Sequence, residues 1–170
     1  RPLRSEPRPV NIWSTTRCLR SIVADQSIDG SPTWSPGGNQ LAFVSSRSGG
    51  PQVFRMASTG AGATRLSKQG NYNQTPDWNP GAGPRGNLVA YAGRDNSNRY
   101  DIFAVDAGGG KLTRLTQNPG RNLDPTWSPD GRMIAFQSTV GGIVVANEQG
   151  NNQQQIAKAG TTPDWGPRAN

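Results

Sequence analysis

The feature that most constrains this chain is a Pro-x-Trp motif that recurs four times. It reads "PTWSPGG" at 32–38, "PDWNPGA" at 76–82, "PTWSPDG" at 125–131 and "PDWGP" at 163–167. The four Trp residues, 34, 78, 127 and 165, are separated by 44, 49 and 38 positions. A period in the forties with several short strands per copy is the pattern of a β-propeller blade.

The segments between the Trp residues repeat too. After each motif comes one apolar run, "LAFVS" (41–45), "LVAYAG" (88–93) or "MIAFQS" (133–138), and then a second, "QVFRMAS" (52–58), "DIFAVDA" (101–107) or "GIVVANE" (142–148). Short third runs follow, "TRLS" (64–67), "TRLT" (113–116) and "QQIA" (154–157). Phe54 to Leu66, Phe103 to Leu115 and Val144 to Ile156 each span 12 residues, as do Leu66 to Trp78 and Leu115 to Trp127. Runs this short, β-rich and bounded by Gly, Asn and Pro read as strands. With the strands of a blade lettered A to D and Trp in A, "VNIWSTT" (10–16) aligns with the C strands, and residues 19–23 follow as a D strand.

Within the motif each residue has a mechanical reading. Trp34, Trp78, Trp127 and Trp165 offer flat apolar surface to a neighbouring blade. Pro32, Pro76, Pro125 and Pro163 fix the angle of the incoming loop. "SPDG" and "SPGG" are tight turns returning the chain into strand B, and the second copy stretches this turn to "NPGAGPRGN".

These repeats resemble the TolB-type propeller repeat, a Pro-Asp variant of the WD-repeat blade. The resemblance rests on "PTWSPDGRMIAFQS", "YDIFAVDAGGGKLTRLTQNPGRNLDPTWSP" and "PTWSPGGNQLAFVSSRSGG", and it runs from about residue 10 to 167. It implies an all-β fold of four-stranded antiparallel blades. It also implies a periplasmic or secreted bacterial setting, as for TolB of the Tol-Pal envelope system. The same repeat builds the propellers that gate prolyl-oligopeptidase-type proteases, so it does not by itself name a function.

The expected architecture is one small propeller of about four blades over residues 10–170, preceded by a basic, Pro-rich extension at 1–9. A propeller commonly closes its ring with strands from both termini, which hides open sheet edges. Trp165 would then supply an A strand for a blade whose C and D strands are 10–16 and 19–23. The fourth B strand is the weak point: only "RPLRSEPRP" is available, and its three Pro suit a central strand poorly. The alternative is an open half that pairs with another chain.

Composition narrows the function. The chain of 170 residues carries 18 Lys and Arg against 11 Asp and Glu, a net charge of +7, spread in ones and twos. That balance favours a protein partner with an acidic face, and the absence of a cationic run points away from nucleic acid. No stretch approaches a membrane span, so any membrane association would be peripheral, through an envelope complex. Cys18 is the single cysteine, which rules out an internal disulfide.

Catalysis finds no footing. The sequence has no His, which removes Ser-His-Asp and Cys-His chemistry and His-containing zinc sites, and it has no G-x-S-x-G elbow. No cofactor, metal or catalytic residue is therefore assigned. Because strands alternate in direction, the D-to-A and B-to-C loops share one face of the propeller. That face gathers Arg47, Tyr72, Asn73, Arg94, Asp95, Arg99, Arg121 and Asn122, residue types common at protein interfaces. The preferred expectation is a non-catalytic envelope propeller that docks on a protein, as an accessory subunit of a larger assembly. A carbohydrate or small anionic ligand module and the detached regulatory propeller of a hydrolase are the alternatives.

Overall fold

The apolar runs form strands whose central members are covered on both faces, so they read as nearly unbroken hydrophobic sequence rather than as alternation. The computed structural model describes residues 13–16, 18–21, 26–81 and 83–166. Strands β1 (Trp13–Thr16) and β2 (Cys18–Ser21) form an antiparallel hairpin that is a sheet of its own. Three four-stranded antiparallel sheets follow. The first is β3 (Asp29–Trp34), β4 (Gln40–Ser45), β5 (Gln52–Ala57) and β6 (Thr64–Arg65). The second is β7 (Tyr72–Trp78), β8 (Leu88–Arg94), β9 (Tyr100–Asp106) and β10 (Leu112–Arg114). The third is β11 (Asn122–Trp127), β12 (Met133–Ser138), β13 (Gly142–Asn147) and β14 (Gln154–Ala157). These are blades 1, 2 and 3, each in A-B-C-D order, and the all-β propeller class read from the repeat holds.

Strand pairing fixes the equivalences between blades. Trp34 lies opposite Leu41, Trp78 opposite Val89 and Trp127 opposite Ile134. Side chains on one sheet face then meet the next blade. Ala42, Val53 and Leu66 of blade 1 cluster with Trp78, Val89, Tyr91, Phe103 and Val105 of blade 2. Ala90, Ile102, Ala104 and Leu115 of blade 2 cluster with Trp127, Ile134, Phe136, Val144 and Ala146 of blade 3. Trp78 and Trp127 are buried in these junctions at 4% and 3% exposure, whereas Trp34 is 44% exposed and Trp165 half-buried, so the flat surface expected to pack on a neighbouring blade is covered in two copies and not in Trp34. Burying one large side chain in this way stabilises by about 1.5–3 kcal/mol.

The turns after the motif also form as read. Gly38 and Gly131 donate to the Ser35 and Ser128 carbonyls at 2.9 and 2.8 Å, both with positive φ that only Gly adopts freely. In the second copy the longer turn becomes a 3-10 segment, Gly83–Asn87, and the Trp78 indole N–H donates to the Gly86 carbonyl at 2.8 Å.

Closure through a fourth blade is not seen. Among the described residues, 163–166 form no strand, and β1 and β2 pair only with each other. Trp165 is nevertheless docked, its indole N–H donating to the Thr126 carbonyl of blade 3 at 3.0 Å. The extension at 1–9, residues 10–12 of the expected C strand and residues 22–23 of the expected D strand lie outside the described residues.

Candidate functional site

Strand A of each blade contains a Pro, which cannot donate to the ladder, and the strand bulges there. The pairing register shifts between Gly30 and Thr33, Gln74 and Asp77, and Leu123 and Thr126. The residue before each Pro takes left-handed φ: Ser31 at 49°, Thr75 at 47°, Asp124 at 49° and Thr162 at 46°. Such geometry at a non-Gly residue costs on the order of 1–3 kcal/mol, and its recurrence in all four copies makes it part of the architecture. The bulges bring all four copies to one pocket of about 300 Å³, lined by Ser31, Pro32, Thr75, Pro76, Asp124, Pro125, Thr162 and Pro163 with Asp77 and Thr126. The fourth motif thus reaches the same centre as the others without forming a strand.

The residue between Pro and Trp ties adjacent A strands together at this centre. Trp78 N–H donates to the Thr33 hydroxyl at 3.1 Å, and Trp127 N–H donates to the Asp77 carboxylate at 2.7 Å. Burial pushes the Asp77 carboxyl above its ordinary range, opposed in part by that bond from Trp127. Burial raises the Asp124 carboxyl as well.

A second repeated device sits at the edge of the loop face. Five residues before Trp stand Asp29, Asn73 and Asn122, all essentially buried. The Asn73 amide donates to Gln52 of blade 1 at 2.7 Å, and Gln52 also accepts from Ser67 at 2.6 Å and Arg65 at 2.8 Å. One blade further on, Asp101 accepts from Asn122 at 3.3 Å, from Thr116 at 2.8 Å and from Arg114 in an ion pair. Each latch joins the C and D strands of one blade to the A strand of the next. Asn73 and Asn122, grouped with the loop-face residues from sequence, are therefore spent on holding blades together. Arg47 is also committed: it bonds Ser45 at 2.8 Å and Asp29 at 3.3 Å, and its guanidinium lies 5.2 and 5.1 Å from the Phe43 and Phe54 ring centres.

The other loop-face residues come together at the surface. Arg94 stacks over Tyr72 at 5.1 Å, Tyr72 meets Tyr100 edge-to-face at 6.2 Å, and Arg121 stacks over Tyr100 at 5.7 Å. This ladder crosses from blade 2 to blade 3. Each cation–π step contributes on the order of 0.5–1 kcal/mol at exposed sites and holds an otherwise mobile Arg in place. Arg94 is held further by the Asn71 and Asn98 side-chain oxygens at 3.1 and 3.3 Å. Asp95 shapes the adjoining turn, accepting from the Ser97 and Arg99 amides at 2.9 and 3.0 Å and pairing with the Arg99 guanidinium at 3.4 Å. Those bonds, Arg99's foremost, hold its carboxyl below the ordinary range. Tyr100 was missed from sequence because it begins an apolar run and reads as core. Its counterpart Pro51 gives no hint of an aromatic at that position.

Among the described residues no cluster of three His, Cys, Asp or Glu side chains suited to a metal ion is found, and no helix is long and apolar enough to cross a membrane.

Comparison with known proteins places this architecture. The profile of the TolB beta propeller domain matches residues 10–100. The chain is 39% identical over 119 residues to the Tol-Pal system protein TolB of Bordetella pertussis, covering 64% of this chain and 24% of that protein. It is 38% identical over 121 residues to a protein TolB homolog of Chlorobium chlorochromatii, covering 71% of this chain and 26% of that one. The crystal structure of TolB from Acinetobacter baumannii superposes with a TM-score of 0.67 at 20% identity, over 83% of this chain and 35% of that one. The chain spans about a quarter of the length of the curated relatives it matches.

Proposed function

The chain belongs to the TolB beta propeller domain family, and on that premise we propose that it is a non-catalytic docking propeller of the bacterial periplasm. Its partner on this reading is a protein with an acidic face, which it binds as an accessory subunit of a larger envelope assembly. The observation that carries the reading is the Arg94–Tyr72–Tyr100–Arg121 ladder on the loop face. Arg and Tyr are the residue types that most often anchor interfaces, and pre-stacked arginines lose less conformational freedom on binding than free ones. Arg99 and Asp95 border the same surface, Asn73 and Asn122 fix the strands next to Tyr72 and Arg121, and Arg47 is held within blade 1. The Tol-Pal assignment of the relatives supports a setting in which protein contact, not turnover, is the task.

The test is recovery of associated chains from native envelopes by affinity purification after mild cross-linking. A discrete acidic partner, lost when Arg94 and Arg121 are both changed to Glu, is the expected result. Recovery of a lone monomer would refute the reading.

A further inference from the structure

Blades 1 and 2 differ at two equivalent loop-face positions, and the difference leaves a groove. Six residues before Trp stands Ile28 in blade 1 and Tyr72 in blade 2; one residue before strand C's polar latch residue stands Pro51 in blade 1 and Tyr100 in blade 2. In blade 2 the two tyrosine rings meet edge-to-face and fill the space towards blade 3, with Arg121 across the top. Tyr100 is only 9% exposed there. In blade 1, Ile28 and Pro51 are too small to do the same. Ile28 is 70% exposed, and a groove of about 400 Å³ opens between the two blades, with Ile28, Val44, Pro51 and Tyr72 as its apolar walls.

The filled junction shows what the open one lacks. Its missing component is an aromatic ring set against Tyr72, where Tyr72 presents to blade 1 the position that Arg121 presents to blade 2. A charge stands beside the groove, stacked on its Tyr72 wall. Arg94 lies 5.1 Å from the Tyr72 ring centre and is oriented by two neutral oxygens, those of Asn71 and Asn98. A guanidinium held in this way can still gain a charge-assisted bond to a carboxylate. With a net charge of +7 the chain also draws acidic segments towards it.

We propose that the groove between blades 1 and 2 receives an aromatic side chain of a partner polypeptide, flanked by carboxylates that pair with Arg94. The inference rests on the reading of this face as a protein-docking surface and specifies what that surface recognises. An extended acidic segment with one aromatic anchor fits: the ring packs between Val44, Pro51 and Tyr72, and the neighbouring carboxylates remain at the solvated rim.

The proposal is tested on the full chain with labelled synthetic heptapeptides read by fluorescence anisotropy. One peptide has a central tryptophan between aspartates, a second has alanine at the centre, and a third has lysines in place of the aspartates. The tryptophan–aspartate peptide is expected to bind saturably, and the other two at least about tenfold more weakly. Pro51→Tyr, which installs the ring blade 2 already carries, is expected to weaken that peptide at least about tenfold while leaving the melting temperature unchanged. Ile28→Trp fills the groove from an exposed position and gives the same readout should Pro51→Tyr disturb folding. Arg94→Gln should weaken the acidic peptide and leave the lysine peptide unaffected. Absence of saturable binding, equal binding of the alanine peptide, or full binding by both groove-filling variants would overturn the proposal. A native partner retained by Pro51→Tyr and Ile28→Trp would leave the docking face standing and remove the groove.

Discussion

The junctions between blades 1 and 2 and between blades 2 and 3 contrast with the outer face of blade 3. Leu66 and Leu115 stand one residue past β6 and β10 and are 0% and 5% exposed, whereas their counterpart Ile156, in β14, is 61% exposed. Polar contacts follow the same division. Gln52, Arg65, Ser67 and Asn73 form one latch and Asp101, Arg114, Thr116 and Asn122 the next, but the corresponding blade 3 residues are Gly142, Gln155, Ala157 and Gly160. A blade side chain gains its burial from the neighbour it meets, so the same residue type at the same register is core in one place and surface in another. Sequence repetition sets the register, and the next blade sets the energy.

The sharpest way to break that contrast is to truncate its equivalent positions. Leu66→Ala and Leu115→Ala are expected to cost about 2–5 kcal/mol each in urea unfolding, through lost transfer energy and the cavity left behind. Ile156→Ala should stay within about 0.5 kcal/mol. Equal losses at all three would mean that blade 3 is covered as the others are. Next in size is Asp101→Ala, which leaves Thr116 and Asn122 without this acceptor and the Arg114 guanidinium without its ion-pair partner at a closed junction. A loss of about 2–3 kcal/mol is expected by the same measurement.

Two smaller tests probe flaws inside the closed region. Tyr91 is fully buried, and its hydroxyl finds no partner among the described residues; blades 1 and 3 carry Phe43 and Phe136 at that position. Tyr91→Phe should stabilise by about 1 kcal/mol by removing an unsatisfied polar group. Asp77→Asn keeps an acceptor for Trp127 N–H and removes a buried charge. Because burial raises the Asp77 carboxyl above its ordinary 3.8, the folded state favours the protonated form. That contribution is full below the ordinary value and is lost as pH rises through the raised one. The variant is therefore expected to melt higher than the parent at pH 7, by an amount that shrinks as pH falls towards 4 in a series of thermal melts.

Much of this fold was legible because spacing repeated. "LAFVS", "LVAYAG" and "MIAFQS" became β4, β8 and β12 with ends displaced by a residue at most. Trp78 and Trp127 lie in blade junctions, whereas Trp34, with the same motif, is 44% exposed. Local pattern did not disclose side-chain commitments that depend on a neighbouring blade. Asn73 and Asn122 look like loop residues, and only the adjacent C strand shows them to be latches. Arg47 looks like a surface cation, and only Asp29 with the Phe43 and Phe54 rings shows it to be a clamp. The left-handed residue before each Pro was equally hidden, because a Pro in a strand suggests an interruption without revealing which neighbour absorbs it. Trp165 carries the full motif yet forms no strand, since pairing is a property of two segments and not of one.

On the proposed function, the Pro-x-Trp repeat builds the scaffold and recognition belongs to the unlike loops on one face. Its most direct test is native co-purification with two charge-matched double variants. One carries Arg94→Glu and Arg121→Glu on the loop face; the other carries Lys111→Glu and Arg132→Glu, both exposed in turns on the opposite face. The first is expected to lose the partner and the second to keep it. Retention by the first variant, or loss from the second alone, would contradict that reading.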